Sequence, residues 1–584
     1  MNLEILPNEI LLHLFQYFNT IDLLHIFYGL NSRFNFLLYK EVRFYRVKFT
    51  FVSKRHFDMI CQQHLPFIAN RIIALDLSDH RDTPQQIVLF LSYIPSFSRF
   101  TQLRSLTLFD LHSYESLLKL LGECCHLNNL THLDIHSCSL SIDQVNFQLI
   151  VDNIWSLPKL INCSLYIKFQ KYHLLYLPTI ISLSLESITM YYGQLKMNQI
   201  NQLFKYTPRL KHLQTIGTSI NDDYMPSPLT ILIDLDIYFS DCSDYSKMIV
   251  FLQNIPNLRC LDINIPSELI DGYQWKYIIR IYLPKLKTFR LKMCKRLPFD
   301  NIIQESIDRL IDSFRNIFWI NECQWYVRCF AYNRRIHLHP VSQLISWFPV
   351  TRLDLWRSTY PHDNHEIFHN NIDGIYDETF FNIPIPSHIR LSNIEHLHIK
   401  FPINDQFWSI VPSLKHLYSL TISSYADTFQ FQLQDLFNRA PYLYALTIRQ
   451  DVSLSLQMSL FTCTNICICH LDLRDYNHYF NEEESITLSH LSLTTQCEVL
   501  SIRVHNRESI IILVTNLIHL RILHICWNDE NNSEQFQLTE NNGKCSGKRT
   551  QILDELVQWL KDRLPSTYLI NNDPYYDHDI SIWI

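Results

Sequence analysis

The chain has 584 residues, too many for one ordinary compact core, so several domains or a repeat array are expected. At 47% hydrophobic and 13% aromatic it has a folding composition, and a formal net charge of −7 excludes the global basicity of a nucleic-acid binder. Its 8 glycines exclude the Gly-rich loops that cradle phosphates; the nearest approach, Gly543-Lys544-Cys545-Ser546-Gly547-Lys548-Arg549-Thr550, is one residue short between its glycines and carries Arg549 where Ser or Thr is needed.

In chain order, the first element is an amphipathic helix. Pro7 suits a first helical turn, Glu9 favours the positive end of the helix dipole, and Ile10, Leu11, Leu14, Phe15 and Phe18 fall on one stripe. Asn19 or Thr20 caps a second helix that begins near Ile21 and carries Leu23, Leu24 and Phe27. A unit of this size buries little surface alone, so part of its apolar set needs a partner, or the unit caps the domain that follows. Leu6-Pro7-Asn8-Glu9-Ile10-Leu11-Leu12-His13-Leu14-Phe15-Gln16-Tyr17-Phe18, followed by Asp22-Leu23-Leu24, resembles the opening of an F-box. The resemblance covers about the first forty-five residues. It implies a domain over 1–48 that binds a Skp adaptor through Leu6, Pro7, Ile10, Leu11, Phe15, Leu23, Leu24 and Phe27.

From residue 70 to 526 a phrase recurs: apolar, two others, apolar, one other, apolar. Leu103-Arg104-Ser105-Leu106-Thr107-Leu108 and Leu443-Tyr444-Ala445-Leu446-Thr447-Ile448 are examples. Its anchors fall at Leu75, Leu106, Leu133, Leu165, Leu183, Leu213, Leu235, Leu261, Phe289, Leu353, Leu397, Leu420, Leu446, Leu471, Leu500 and Leu523. Most steps are about 18 to 32 residues, the period of a leucine-rich repeat. Helix-spaced apolar residues lie between phrases at 116–125, 198–206, 246–254, 341–348 and 432–440. The fold class expected is α/β, a solenoid with a parallel sheet and outer helices; a generic layered α/β domain is the competing architecture. Leu130-x-x-Leu133-x-Ile135-x-x-Cys138-x-Leu140 matches the cysteine-bearing repeat that follows F-boxes in F-box/leucine-rich-repeat proteins, which the whole chain therefore resembles. Most other repeats lack Asn or Cys at that position.

Interruptions are legible too. Residues 298–347 read as an insertion, with two alternating runs flanking Asn333-Arg334 as a β-hairpin. Residues 527–549 read as a mobile loop, and 550–584 as a capping helix with a tail.

The outward residue of each phrase gives a candidate target face: Asp76, Thr107, Asp134, Tyr166, Ser184, Asp236, Asp262 and Arg290, then Asp354, His398, Thr421, Thr447, Asp472, Ser501 and His524. The next outward position adds Lys400, Arg449, Arg474 and Arg503. Acid gathers in the early repeats and base in the late ones, so Asp134, Asp236, Asp262, Lys400, Arg449, Arg474 and Arg503 are the candidate target contacts. The His337/His339 and His396/His398 pairs and the Cys463–His470 cluster lack metal-site spacing, and neither a catalytic constellation nor a cofactor motif is present. No secretory signal opens the chain and its longest apolar run is Ile510–Val514, so a cytoplasmic or nuclear protein with reduced thiols is expected. Taken with the resemblance, the expected function is the non-catalytic substrate-recognition subunit of a cullin-RING ubiquitin ligase of the SCF type, with no nucleic-acid or membrane partner. The alternative is a repeat scaffold without ligase association.

Overall fold

The computed structural model describes the chain except residues 1–2, 141–143, 170–176, 192–194, 220–226, 242–244, 297–302, 333–334, 342–355, 363–371, 383–389, 451–457, 477, 528–544 and 574–578. Asp354, the expected helix at 341–348 and most of the expected loop at 527–549 fall outside the described residues.

The fold is α/β. Two sheets follow one another along the chain, one of 13 strands and one of 9. In the first, strands from Tyr45–Lys48 to Thr288–Arg296 pair in parallel and in sequence order, and helices such as Tyr114–Cys124, Met197–Tyr206 and Gly272–Tyr282 connect them. The period-two alternation of each phrase decides which way its residues face. Leu106, Leu108, Leu133 and Ile135 are completely buried between sheet and helices, while Thr107 and Asp134 point to the opposite, inner face. This is the leucine-rich-repeat-like solenoid expected from the period.

Three expectations need adjusting. The sheet begins at Tyr45 and not near residue 70: Tyr45–Lys48 pairs with Ile72–Ser78, so the end of the expected F-box is the first strand of the solenoid. The hairpin Val327–Tyr332/Arg335–Pro340 is part of the first sheet and stands between the two parallel arrays. It extends the first sheet antiparallel to Thr288–Arg296, and Trp356–Ser358 pairs beyond it. The C-terminal cap is a helix, Cys545–Lys561, followed by an antiparallel hairpin, Leu569–Asn572/Asp579–Trp583, whose second strand pairs with Ile522–Trp527.

The two ends of the chain meet. Trp583 is fully buried, stacks 5.4 Å from Phe57 and donates its indole N–H to the Val52 carbonyl at 2.9 Å. The Lys54 amide donates to the Ile584 carbonyl at 2.8 Å. Across the inner side, His524 Nε2 donates to Asp82 Oδ1 at 3.0 Å, and Arg81 reaches Asp573 at 3.3 Å. Val499, Ile522 and Trp583 consequently belong to the hydrophobic core of the first sheet. The solenoid is clasped into a closed loop.

Candidate functional site

Two surfaces are candidates for partner binding, and the N-terminal helices form the first. Pro7 precedes helix Asn8–Phe15, the Asn19 side chain caps Thr20–Phe27, and Asn31 caps Ser32–Phe36. Thr20, left uncommitted by Asn19, donates to the Arg46 carbonyl at 2.6 Å and ties the unit to the first strand. Phe15, Phe27 and Phe34 stack in its centre, with Phe27 4.9 Å from Phe15 and 5.5 Å from Phe34.

This core corrects the sequence reading. Of the eight residues assigned to adaptor contact, Leu11, Phe15, Leu23, Leu24 and Phe27 are at most 3% exposed and fill the unit's own interior, which is continuous with Tyr45 and Val47 of the sheet. The unit lies directly on the first strand, so it buries more than an isolated trihelical domain would. What it leaves outside includes Pro7, half of Ile10, part of Leu6, and residues not among the eight: Ile5, Tyr17, Leu30 and Phe36, each more than half exposed, with Ile26 and Tyr28 exposed in part. Arg33 bonds to the Glu4 carbonyl at 2.6 Å, to the Leu6 carbonyl, and to Asn8 Oδ1 at 2.8 Å; Asn31 bonds to the Glu4 side chain. These bonds set the Leu30–Phe36 segment beside the Leu3–Ile10 segment.

The second surface is the inner face of the first sheet. The strand register aligns Asp76, Thr107, Asp134, Ser164, Thr189, Gln214, Asp236, Asp262 and Arg290 in one row. Asp134, Asp236 and Asp262 share that row as expected from the phrase. Tyr166 and Ser184 do not. The fourth and fifth phrases are Leu160-x-x-Cys163-x-Leu165 and Leu185-x-x-Ile188-x-Met190, so the anchors at Leu165 and Leu183 are displaced, and Leu183 is 70% exposed in a turn. The core takes any apolar side chain of suitable size there, and with Cys163 and Ile188 at the anchor positions the nearby Leu165 and Leu183 match the phrase instead. Tyr166 instead belongs to a second row two residues on, with Phe109, His136, Tyr191 and Tyr238. A hollow of about 280 Å³ opens over the row between Thr189 and Arg290. Burial raises the carboxyls of Asp76, Asp134 and Asp262, and burial followed by the neighbouring Asp262 charge lifts Asp236 to about 6.

The late repeats behave differently. His398, Thr421, Thr447, Asp472, Ser501 and His524 stand in register as expected. Yet Thr421 is 7% exposed, and Ser501 and His524 not at all. The basic strip is also broken up. Arg474 hydrogen-bonds Asp472 at 3.0 Å and stands 3.9 Å from Asp579, Arg449 pairs with Asp475 at 3.2 Å, and Arg503 lies over the Tyr479 ring. Lys400 alone of the four stands exposed without an ion pair among the described residues. Arg474 and Arg503 thus serve contacts within the molecule.

No family model matches the chain, and no curated protein matches it in sequence. Among solved structures it is similar to a chain in the crystal structure of the Rad7 and Elc1 complex in yeast, at 12% identity over 79% of this chain and 88% of that one, with a TM-score of 0.22. A score that low supports no transfer of function.

The histidine pairs have structural neighbours. His337 stacks on Phe330 at 5.2 Å and faces Cys294, and burial lowers both His337 and His339 to about 4. His396 and His398 pack on Tyr376. Among the described residues no three metal-ligating side chains converge. The chemistry both surfaces offer is recognition: apolar contact at the N-terminal helices, and charge with hydrogen bonding on the inner face.

Proposed function

We propose that this chain is the substrate-recognition subunit of a cullin-RING ubiquitin ligase of the SCF type. The N-terminal helices hold a Skp adaptor, the inner face of the first sheet holds a protein target, and transfer chemistry belongs to the partners. The observation that carries the reading is the set of apolar residues Ile5, Pro7, Ile10, Leu30 and Phe36, left exposed by a helical unit whose own core is complete and whose opening sequence resembles an F-box. Apolar side chains of this size contribute about 1.5–3 kcal/mol each when a partner buries them fully. The scattered thiols, free among the described residues, suit a cytoplasmic or nuclear setting.

The test uses purified Skp-type adaptor and the full chain in a titration. The double variant Ile5→Asp with Ile10→Asp changes exposed positions only, so the fold should survive. Affinity should fall tenfold or more, which corresponds to about 1.4 kcal/mol. Equal affinity of the folded double variant, or no binding by the parent chain, removes the adaptor surface. The second reading, a scaffold without ligase association, draws on the seating of the helical unit against strand Tyr45–Lys48, which is what a simple end cap would do.

A further inference from the structure

The inner face of the first sheet carries two parallel rows of different chemistry. One holds the carboxylates Asp134, Asp236 and Asp262. The other, two residues further along each strand, holds His136, Tyr166 and Tyr191, with ring centroids 6.5 Å and 4.6 Å apart along the series. Cations already sit at both ends of the acidic row: Lys48 is 3.8 Å from Asp76, and Arg290 is 3.9 Å from Asp262. Between them, among the described residues, no cation lies within ion-pair distance of Asp134 or Asp236. The hollow over Asp236 and Asp262 has the volume of a long side chain rather than of a folded domain.

We propose that this face takes an extended, lysine- or arginine-bearing segment of the target protein, laid across the strands. One of its cations sits in the hollow between Asp236 and Asp262, another by Asp134, and its aliphatic stems lie against the aromatic row. This rests on the receptor reading for its biological role and names the class of target. The physical reasons are complementary. Adjacent strands of a sheet are about 4.8 Å apart, so a single ammonium or guanidinium placed between Asp236 and Asp262 contacts both carboxylates. The two acids repel one another at half-buried positions, Lys292, Arg290 and the Gln214 amide offset this only in part, and an added cation supplies a charge-assisted hydrogen bond to each. Tyrosine faces accept the stem and head of Lys or Arg by cation–π contact. An acidic or phosphorylated segment would meet repulsion along the same row, as would nucleic acid.

The experiment is a fluorescence-anisotropy titration of the full chain with a short labelled peptide alternating lysine and serine. Binding should weaken as salt is added. Asp236→Asn with Asp262→Asn should lower affinity at least tenfold, and Tyr166→Ala with Tyr191→Ala several-fold. Glu482→Gln with Glu483→Gln, exposed acids on the helix Glu482–Ser489, should leave affinity unchanged and so separate this face from the general negative charge of the protein. Should the double Asp variant fail to fold, Asp236→Asn alone serves. The proposal is overturned if the Asp variants bind like the parent, if the Glu482/Glu483 variant loses as much affinity, or if a glutamate–serine peptide binds comparably. Adaptor affinity is measured on the same preparations. Its absence would remove the ligase role while leaving the peptide result standing, and its presence beside a failed peptide titration would remove only the basic-segment proposal.

Discussion

The two sheets carry the same phrase in the same register, yet their inner faces have opposite fates. Asp134, Asp236 and Asp262 on the first remain half-buried, the last two lining a hollow. On the second, His524 is sealed beneath Asp82 and the C-terminal hairpin, and its register neighbour Ser501 is equally buried. Periodicity settles which side chains point inward and which point to the inner face. It does not settle what stands opposite them, because that depends on closure between residues more than four hundred positions apart. The first face is therefore available for a partner, and the late end of the second is part of the protein's own interior.

The largest way to break this contrast is to open the clasp. Trp583→Ala removes a fully buried indole that packs on Phe57, and should cost about 3–5 kcal/mol in denaturant unfolding. Hydrogen exchange should quicken in strands 499–504 and 522–527, and hardly change in strands 132–140 and 234–241. A smaller cut is Asp82→Ala. It strands the Nε2 of a buried His524, and an unsatisfied buried group costs about 1–3 kcal/mol.

Acid should separate the two faces by sign. Burial holds His524 at about 4, against 6.5 ordinarily, among Asp82, Asp573, Arg81 and Ser581. The unfolded chain takes up that proton first, so the clasp loses stability as pH falls from about 6.5 toward 4. Asp236 is the reverse. Its carboxyl is raised from 3.8 to about 6 by burial and by Asp262, with Lys292, Gln214 and Arg290 opposing the rise. The folded chain binds that proton first, so its contribution is fullest below 3.8 and is lost as pH rises through 6. Melting curves between pH 4 and 7 should show Asp236→Asn flattening the second dependence and leaving the first. The smallest expected effect sharpens the contrast from the open side. Thr107→Ala, at a half-buried position of the first inner face, should change stability by no more than about 0.5 kcal/mol.

Much of this architecture was legible because it is local. Apolar residues at the buried positions marked most strands, apolar residues at helical spacing marked the helices near 114–124, 197–206, 245–253 and 430–439, and two alternating runs marked the hairpin strands Val327–Tyr332 and Arg335–Pro340. The reading slipped where the core uses other side chains, as at Cys163 and Ile188, and there it put Tyr166 and Ser184 in place of Ser164 and Thr189. It could not foresee that strand Tyr45–Lys48 would complete the helical unit's core, which turned five expected contact residues inward. Nor could it foresee the clasp, since nothing near Arg81-Asp82 in sequence points to His524 or Asp573. Gln214, by contrast, directly follows the anchor Leu213, and its place in the row is legible from the phrase.

The central claim, that separate surfaces of one chain join a ligase core to a target, is tested most directly by quantitative affinity capture with mass spectrometry. The full chain, the Ile5→Asp/Ile10→Asp variant and the Asp236→Asn/Asp262→Asn variant are compared. The account predicts adaptor and cullin subunits with the parent and with the Asp variant, and at least a tenfold loss of both with the Ile variant. Absence of adaptor and cullin from the parent capture, or their undiminished recovery with the Ile variant, would contradict it.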